Sequence, residues 1–415
     1  RNLGTKLASR VGVFREGMPG ATQFDTSRLH AGHVLRANCV DTLSELCLSV
    51  VAANFNDHPK FPGIPTHLLS RVTELLPTTL PLAMTAPNID DDGYWKRSAL
   101  SRWESCQISQ HGSSWKRLYF ERHLTDFLEC FNPLKGDAEE LARVLCVSKE
   151  HVRSVRLRQV FSHLDLEMIL HSLPMISSLE MTYTRHQTGT DSEPCLLGMK
   201  VHDVKSLASG LKEAGTLSAL SLPCNSLNDT AVRMLASGLQ KNTALTSLDL
   251  SHNKMADGGV KAIAKLLTES SSAMVSLKLP DNRIHADGGR YLGCALKQNT
   301  SLKHLDLRLN RLGDQGGRML LEGVAENGTL RRLNLSCNAL GMESASIAGG
   351  ILANRAVLRS LDLSGNALSD EAGRLLEDSM VSNSTLTAMD LRLNQIAAET
   401  LANIGSICMR NAARV

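Results

Sequence analysis

Apolar and polar positions alternate through the second half of the chain in one recurring unit, Leu-x-x-Leu-x-Leu-x-x-Asn-x-Leu, which runs seven times between Leu217 and Ile396. Its asparagines fall at Asn225, Asn253, Asn282, Asn310, Asn338, Asn366 and Asn394, a period of 28 residues with one step of 29. A fixed period of this length predicts a solenoid in which each coil covers the next. Leucines at period two, such as Leu248 and Leu250, Leu305 and Leu307, or Leu361 and Leu363, mark the inner side of a short strand. Each buried leucine contributes about 1.5–3 kcal/mol, so a single unit depends on its neighbours and would not fold alone. The asparagine is expected to end the strand, where its amide can satisfy backbone groups in a tight turn.

Four residues after the asparagine stands an aspartate in Asp229, Asp257, Asp314 and Asp370, with Asp287 one place later. That spacing predicts a helix N-cap. Apolar residues then follow at helical spacing, as in Ala231, Leu235 and Leu239 or Val260, Ala264 and Leu267, so a helix backs every strand. The expected fold class is α/β: a horseshoe solenoid over 201–415 that resembles the ribonuclease-inhibitor type of leucine-rich repeats. Upstream, Val152, Val155 and Leu157, then Ile176, Leu179 and Met181, predict degenerate capping repeats over 136–200. A polar stretch from Tyr183 to Pro194 is read as a loop inserted there, and Leu401, Ile404 and Met409 as a closing helix.

Residues between the leucines are expected on the concave side. Asp249, Asp306, Asp362 and Asp390 share a column with Lys278 and Asn334; Arg308 and Arg392 follow two places on, with His252, His304 and Arg332 beside them. These form either a charged strip that docks a partner or an ordinary solvated face. No Ser, His and Asp set, paired-carboxylate geometry or phosphate loop can be assembled from the sequence, so no catalytic residue, cofactor or metal ligand is assigned.

Before the array the pattern changes. All three tryptophans, Trp95, Trp103 and Trp115, fall in one window with Tyr94, Tyr119 and Phe120, and mark the core of a helical module over 33–135. From Phe120, Leu124, Phe127, Leu128 and Phe131 recur on one helical face. Six cations (Lys96, Arg97, Arg102, Lys116, Arg117, Arg122) stand against Glu104 and Glu121 between residues 93 and 124. Aromatic and basic residues interleaved in this way suit nucleic acid or an acidic partner. The preferred reading is a small core with a basic rim, because tryptophans in small modules fill cores. The run Asp90, Asp91, Asp92, Gly93 lacks the alternating ligands of a calcium loop and is read as a helix start. Residues 33–55, with Leu43, Leu46, Cys47 and Val50, predict a further helix, and 1–32 an extended arm over a neighbour.

The segment from Ile64-Pro65 through Leu68, Leu69, Val72 and Leu75 to Arg102-Trp103 and Trp115-Lys116-Arg117-Leu118-Tyr119 resembles an F-box, the module that binds the Skp1 adaptor. Tyr94-Trp95-Lys96-Arg97, then Ser114-Trp115-Lys116-Arg117-Leu118-Tyr119-Phe120-Glu121-Arg122-His123-Leu124, then the array, is similar to one family in particular. That family is the fifth, leucine-rich-repeat subunit of the nexin-dynein regulatory complex, also called t-complex-associated testis-expressed protein. The resemblance implies a non-enzymatic scaffold in the axoneme of cilia and flagella that links doublets and regulates dynein. Its partners would be other subunits of that complex, inner-arm dynein or doublet tubulin. The alternatives are an F-box substrate receptor of a ubiquitin ligase and, from repeat class alone, an activator of the Ran type of GTPase.

Composition alters this picture little. A formal charge of +3 over 415 residues is too mild to argue for nucleic acid. The ten cysteines are scattered without zinc spacing, and read as reduced thiols. No apolar run reaches a membrane span and no signal peptide opens the chain, which predicts a soluble cytoplasmic protein with no membrane partner; the cytoskeletal location and the absence of a small-molecule substrate are what the family resemblance implies. Arg rather than Met at position 1 points to a longer natural chain. The sequons at Asn228, Asn299 and Asn383 are read as loop chemistry rather than glycan sites.

Overall fold

The computed structural model describes residues 42–61, 63–132, 136–158, 160, 163–183, 198–240, 242–269, 272–354 and 357–414. The chain divides into two compact units, Arg1–His58 and Pro59–Val415. In the first, helix α1 (Leu43–Ala53) starts at a capping box in which Thr42 and Glu45 each accept the other's backbone N–H. Its buried side chain is Leu48, whereas Leu43, Leu46, Cys47 and Val50, expected as its apolar face, are exposed. The expected arm, and residues 33–41 of the expected helix, lie outside the described residues.

The second unit opens with helices α2 (Thr66–Leu75), α3 (Leu82–Asn88), α4 (Asp92–Arg102), α5 (Trp115–Cys130) and α6 (Ala138–Ser148). There follow β1 (Ser154–Leu157), α7 (Leu166–Ser172), β2 (Ser178–Met181), α8 (Val201–Glu213), β3 (Ala219–Ser221), α9 (Asp229–Leu239), β4 (Ser247–Asp249) and α10 (Asp257–Thr268). The alternation continues through β5 (Ser276–Lys278), α11 (Ala286–Gln298), β6 (His304–Asp306), α12 (Gly313–Glu326), β7 (Arg332–Asn334) and α13 (Met342–Asn354). It closes with β8 (Ser360–Asp362), α14 (Asp370–Met380), β9 (Ala388–Asp390) and α15 (Ala398–Ala412). Among the described residues the strands form one parallel nine-stranded sheet in sequence order. This is the leucine-rich-repeat solenoid expected from the pattern, and the capping strands β1 and β2 join its sheet in register. The stretch read as an inserted loop lies almost wholly outside the described residues.

The register stacks Leu179, Leu220, Leu248, Leu277, Leu305, Leu333 and Leu361 in one buried column. The asparagines tie the coils together more tightly than a turn requires. Asn253 donates from Nδ2 to Leu222 O of the preceding repeat (2.9 Å) and to its own Leu250 O (3.0 Å), while its Oδ1 accepts Asn225 N and Leu227 N (both 3.0 Å). Asn366 and Asn394 repeat this fourfold bridge. The residue before each motif asparagine adopts a left-handed conformation, including the non-glycines Cys224, His252, Asp281, Leu309, Cys337 and Leu393. Such backbone costs about 1–2 kcal/mol for a residue with a Cβ, and the asparagine ladder holds it in place.

The aspartates correct the expectation drawn from spacing. Asp229, Asp257, Asp314 and Asp370 lie inside the first turn of their own helices, and their carboxylates reach to the next repeat. Asp229 Oδ1 accepts Ala256 N (2.7 Å), Asp257 Oδ1 accepts His285 N (2.8 Å) and Gly288 N (3.0 Å), and Asp370 Oδ1 accepts Ala397 N (3.0 Å). Asp314 accepts the N–H groups of Gly341, Glu343 and Ser344 (2.8–3.0 Å), which lowers its pKa against the opposing effect of burial. Each acid therefore serves the orphan donors of the following helix rather than its own. The fit needs glycine: a Cβ on Gly258 would stand 2.7 Å from Asp229 Oδ2, and one on Gly341 would stand 2.9 Å from Asp314 Oδ2.

The closing helix is α15, which buries Ile404 and Cys408; Leu401 is half-buried and Met409 is 69% exposed, so Cys408 holds the place expected for Met409.

Candidate functional site: the strand face and the helical module joined to it

The strand register assembles the expected strip. Asp249, Lys278, Asp306, Asn334, Asp362 and Asp390 are successive partners in one column, half-buried or exposed, and His304 pairs with Arg332 two positions earlier. Much of this charge is already engaged. Asp306 Oδ1 accepts Arg308 N (3.1 Å), Asp362 Oδ1 accepts Ser364 N (3.0 Å) and Oγ (2.7 Å), and Asn334 Oδ1 accepts Ser336 N (2.9 Å) and Oγ (2.8 Å). One oxygen of each thus closes a local turn at the strand end. Lys278 approaches Asp249 at 3.7 Å, Arg392 grips Asp390 through both guanidinium and backbone, and His252 meets Asp281 at 2.8 Å. Burial lifts the Asp306 carboxyl above the ordinary range, while the hydrogen bonds from Arg392 depress that of Asp390. At the end of the strip Asp362, Asp390 and Arg392 line an open groove of about 470 Å³ with Leu401, Ile404 and Cys408.

The helical module is built on Trp95. Its ring is fully buried, lies 5.3 Å from Tyr119 and 5.1 Å from Phe120, and its Nε1 donates to Ile89 O at 2.9 Å. Trp103 donates from Nε1 to Asp126 (2.9 Å) and sits between the guanidinium groups of Arg102 and Arg122, at 5.0 and 4.8 Å from its ring centre. Tyr94, Tyr119 and Phe120 are buried with them. Trp115 is not: it begins α5, is half-buried, and has Lys96 over its ring at 5.8 Å. The other cations of the window also turn inward. Arg97 donates to Thr73 O (2.5 Å), Lys116 to Asp90 (2.6 Å), Arg117 to Glu121 (2.7 Å) and Arg122 to Ser105 O (2.5 Å). The Asp90–Asp92 run starts helices: Asp91 accepts Tyr94 N (3.0 Å), and Asp92 accepts Trp115 N (3.1 Å) at the head of the next helix.

Glu121, seen in the sequence only as one acid among cations, is the joint between module and solenoid. Its side chain is 1% exposed; Oε1 accepts Arg117 Nε (2.7 Å), Arg153 N (2.9 Å) and Ser154 N (2.8 Å), and Oε2 accepts from His111 Nδ1 (2.6 Å). Burial pushes its pKa up, but the bonds from His111, Arg117 and Arg153 outweigh it and hold the carboxyl below its usual value. The two backbone donors belong to the entry of β1, so one side chain on α5 seats the first strand. A second missed set is Asn242, Asn299, Asn327 and Asn383, which cap the helix-to-strand turns: each donates to a carbonyl of the preceding repeat and accepts the N–H groups two and three residues on. The signal was present as Asn-x-Ser/Thr-Leu or Asn-x-Ala-Leu at the repeat period, and Asn299 and Asn383 are buried side chains of this ladder.

His123 carries a pH dependence. It is buried on α5, its Nδ1 accepts from Arg102 (2.8 Å), and burial, then Arg102, push its pKa down to about 4. The folded value lies below the ordinary 6.5, so its contribution is complete above about pH 6.5 and is lost as pH falls towards 4. The full loss is about 3 kcal/mol. Urea titrations at pH 7.5 and 4.5 on the natural chain and on His123→Gln separate this from the carboxylates; equal pH slopes in the two would rule it out.

Among the described residues no group of three or more His, Cys, Asp or Glu is placed to hold a metal ion, and no helix is long and apolar enough to cross a membrane. The model of the leucine-rich repeat family matches residues 241–264, 298–321, 326–346 and 356–376. Dynein regulatory complex subunit 5 of Chlamydomonas reinhardtii is 41% identical over 198 residues, 48% of this chain and 51% of that protein. The Mus musculus and Homo sapiens proteins of the same name are each 32% identical over 223 residues, 47% of this chain and 45% and 44% of theirs. Over the residues these matches cover, the chain is similar to dynein regulatory complex subunit 5 of three organisms. It spans about half the length of the curated relatives it matches. Among solved structures, a plant ice-binding protein is 21% identical with a TM-score of 0.35, over 59% of this chain and 65% of that one. An internalin of Listeria monocytogenes is 19% identical with a TM-score of 0.35, over 61% and 70%. The architecture rests on the strand register, not on these two. The segment that resembles an F-box in sequence is helical in its described residues, and that likeness is one of sequence alone.

Proposed function

We propose that this chain is a non-enzymatic structural and regulatory subunit of a dynein regulatory complex in the ciliary or flagellar axoneme, linking doublets and acting through protein contacts. The observation that carries the reading is the 41% identity to dynein regulatory complex subunit 5 over nearly half the chain. The architecture supports it physically: a link that transmits force needs a stiff spacer, and interlocked side-chain ladders running coil to coil supply one. In this reading the helical module fixes one neighbour and the strand face presents Asp249, His252, Lys278, His304, Asp306, Arg308, Arg332, Asp362, Asp390 and Arg392 to another. Those neighbours would be other subunits of the complex, inner-arm dynein or doublet tubulin. The ubiquitin-ligase and GTPase-activator alternatives draw no support from the relatives' names.

Locating the chain in isolated axonemes by cryo-electron microscopy tests the assignment; density for it away from the link between doublets would end it. A pull-down with the Skp1 adaptor separates the F-box reading, since the scaffold predicts no obligatory adaptor. For the strand face, Asp306→Asn with Asp362→Asn is the clean variant, because Asn334 already closes the same turn in its own repeat. Partner affinity is expected to fall several-fold while the melting temperature moves by less than about 2 °C, as for surface changes that keep their hydrogen bonds. Unchanged binding would remove this column from the docking surface.

A further inference from the structure

We propose that Lys303, Arg331 and Arg359, with His304 and Arg332 beside them, form a docking site for an acidic segment of a partner polypeptide. The inference names a partner chemistry and does not depend on which complex the chain joins. Arg331 N donates to Lys303 O and Arg359 N to Arg331 O, both at 2.8 Å, so the three cations occupy one column at the entry to β6, β7 and β8. Adjacent rungs of a sheet are about 4.8 Å apart, which packs like charges within interaction range. His304 and Arg332 are register partners in the next column. The column ends in neutral residues, since Lys303 N donates to Val275 O and Thr387 N to Arg359 O.

Elsewhere on this face Lys278 pairs with Asp249 and Arg392 with Asp390, and Arg308 stands in the field of Asp306. Among the described residues no carboxylate lies in ion-pair range of Lys303, Arg331, Arg332 or Arg359; Arg331 turns only to the carbonyls of Gly328 (3.4 Å) and Val357 (3.3 Å). Four unneutralised cations in two adjacent columns oppose folding by repulsion, and an incoming carboxylate group relieves it. His304 shares the field. Its Nδ1 is enclosed and finds no hydrogen-bond partner among the described residues, and its pKa is lowered by burial and then by Arg332 and Lys303.

A polypeptide fits better than a nucleic acid. The patch is only three rungs wide, no Phe, Tyr or Trp stands in the columns 303–308, 331–336 and 359–364 to stack a base, and Asp306 and Asp362 lie two positions beyond His304 and Ser360 along the same strands. A long polyanion would run into those carboxylates. A short acidic stretch would not, particularly one followed by a basic residue that meets Asp306 or Asp362.

The test uses the full chain and a fluorescein-labelled hexaglutamate peptide followed by fluorescence polarisation at low and moderate salt. Lys303→Glu with Arg331→Glu and Arg359→Glu is expected to weaken binding at least tenfold. The charge-matched Lys212→Glu, Lys254→Glu and Lys265→Glu, all exposed outside the patch, should change it less than about twofold. Equal losses in both variants would reduce the effect to net charge and overturn the proposal. So would tighter binding of a single-stranded hexanucleotide that the first variant abolishes. If the glutamate variant does not fold, the triple glutamine replacement at the same positions gives the same reading. Failure here leaves the axonemal assignment standing, because that is tested by location in the axoneme.

Discussion

Glu121→Ala is expected to cost about 3–5 kcal/mol and to change how the chain unfolds as well as when, because it strips a buried ionic joint of its acceptor. Four donors lose their partner at once: Arg117, His111 and the backbone N–H groups of Arg153 and Ser154. The last two have nowhere else to turn, since they sit at the start of β1 where the sheet begins. The module and the array should then uncouple, so that urea unfolding followed at the module tryptophans precedes the loss of helical signal from the repeats. Glu121→Gln keeps one acceptor oxygen for the strand entry but sets an amide against either His111 or Arg117, and should fall between the two. A loss below about 1 kcal/mol with coincident transitions would mean that the joint is held by apolar packing instead.

How much of this could be read in advance depended on the distance over which each interaction acts. The leucine columns were legible because a two-residue alternation fixes which side of a strand is buried, and a fixed period fixes what it is buried against. The charged strip was legible in membership, since the register follows from the same period. What the sequence concealed were bonds between repeats. The aspartates looked like caps of their own helices because Asp229 and Asp257 stand at helix starts, yet their oxygens are spent one repeat onward. Glu121 stood in the sequence only as one acid among six cations; its decisive partners lie 32 and 33 residues away. The second asparagine ladder was hidden by its resemblance to glycan sequons, although its recurrence at the repeat period was visible. In each case a side chain with a plausible local use has its strongest use at a distance. The concave acids show the converse: they were read for their charge, and one oxygen of Asp306 and of Asp362 closes a local turn.

Trp95→Ala and Trp115→Ala should part company, although the two rings belong to one cluster in the sequence. Trp95 is enclosed by Tyr94, Tyr119 and Phe120, and its indole N–H is held by Ile89 O. Truncating it removes the centre of the module and leaves that carbonyl without its donor, a loss of about 3–5 kcal/mol for an aromatic deleted from a packed core. Trp115 keeps a partly wet face, so the transfer and cavity costs are both smaller, and about 1 kcal/mol is expected, chiefly from area lost at the head of α5 and from Lys96 over its ring. Urea midpoints of the two variants at pH 7.5, where His123 is neutral in both, give the comparison. Equal losses would place Trp115 inside the core, and would mean that its ring is packed more deeply than its half-buried position at the start of α5 implies. The contrast bears on docking as well. A half-buried tryptophan under a lysine, at the helix that carries Glu121 to the first strand, sits where a neighbour gripping the module would be felt by the sheet. A partner contact there is expected to quench Trp115 fluorescence and leave Trp95 unchanged.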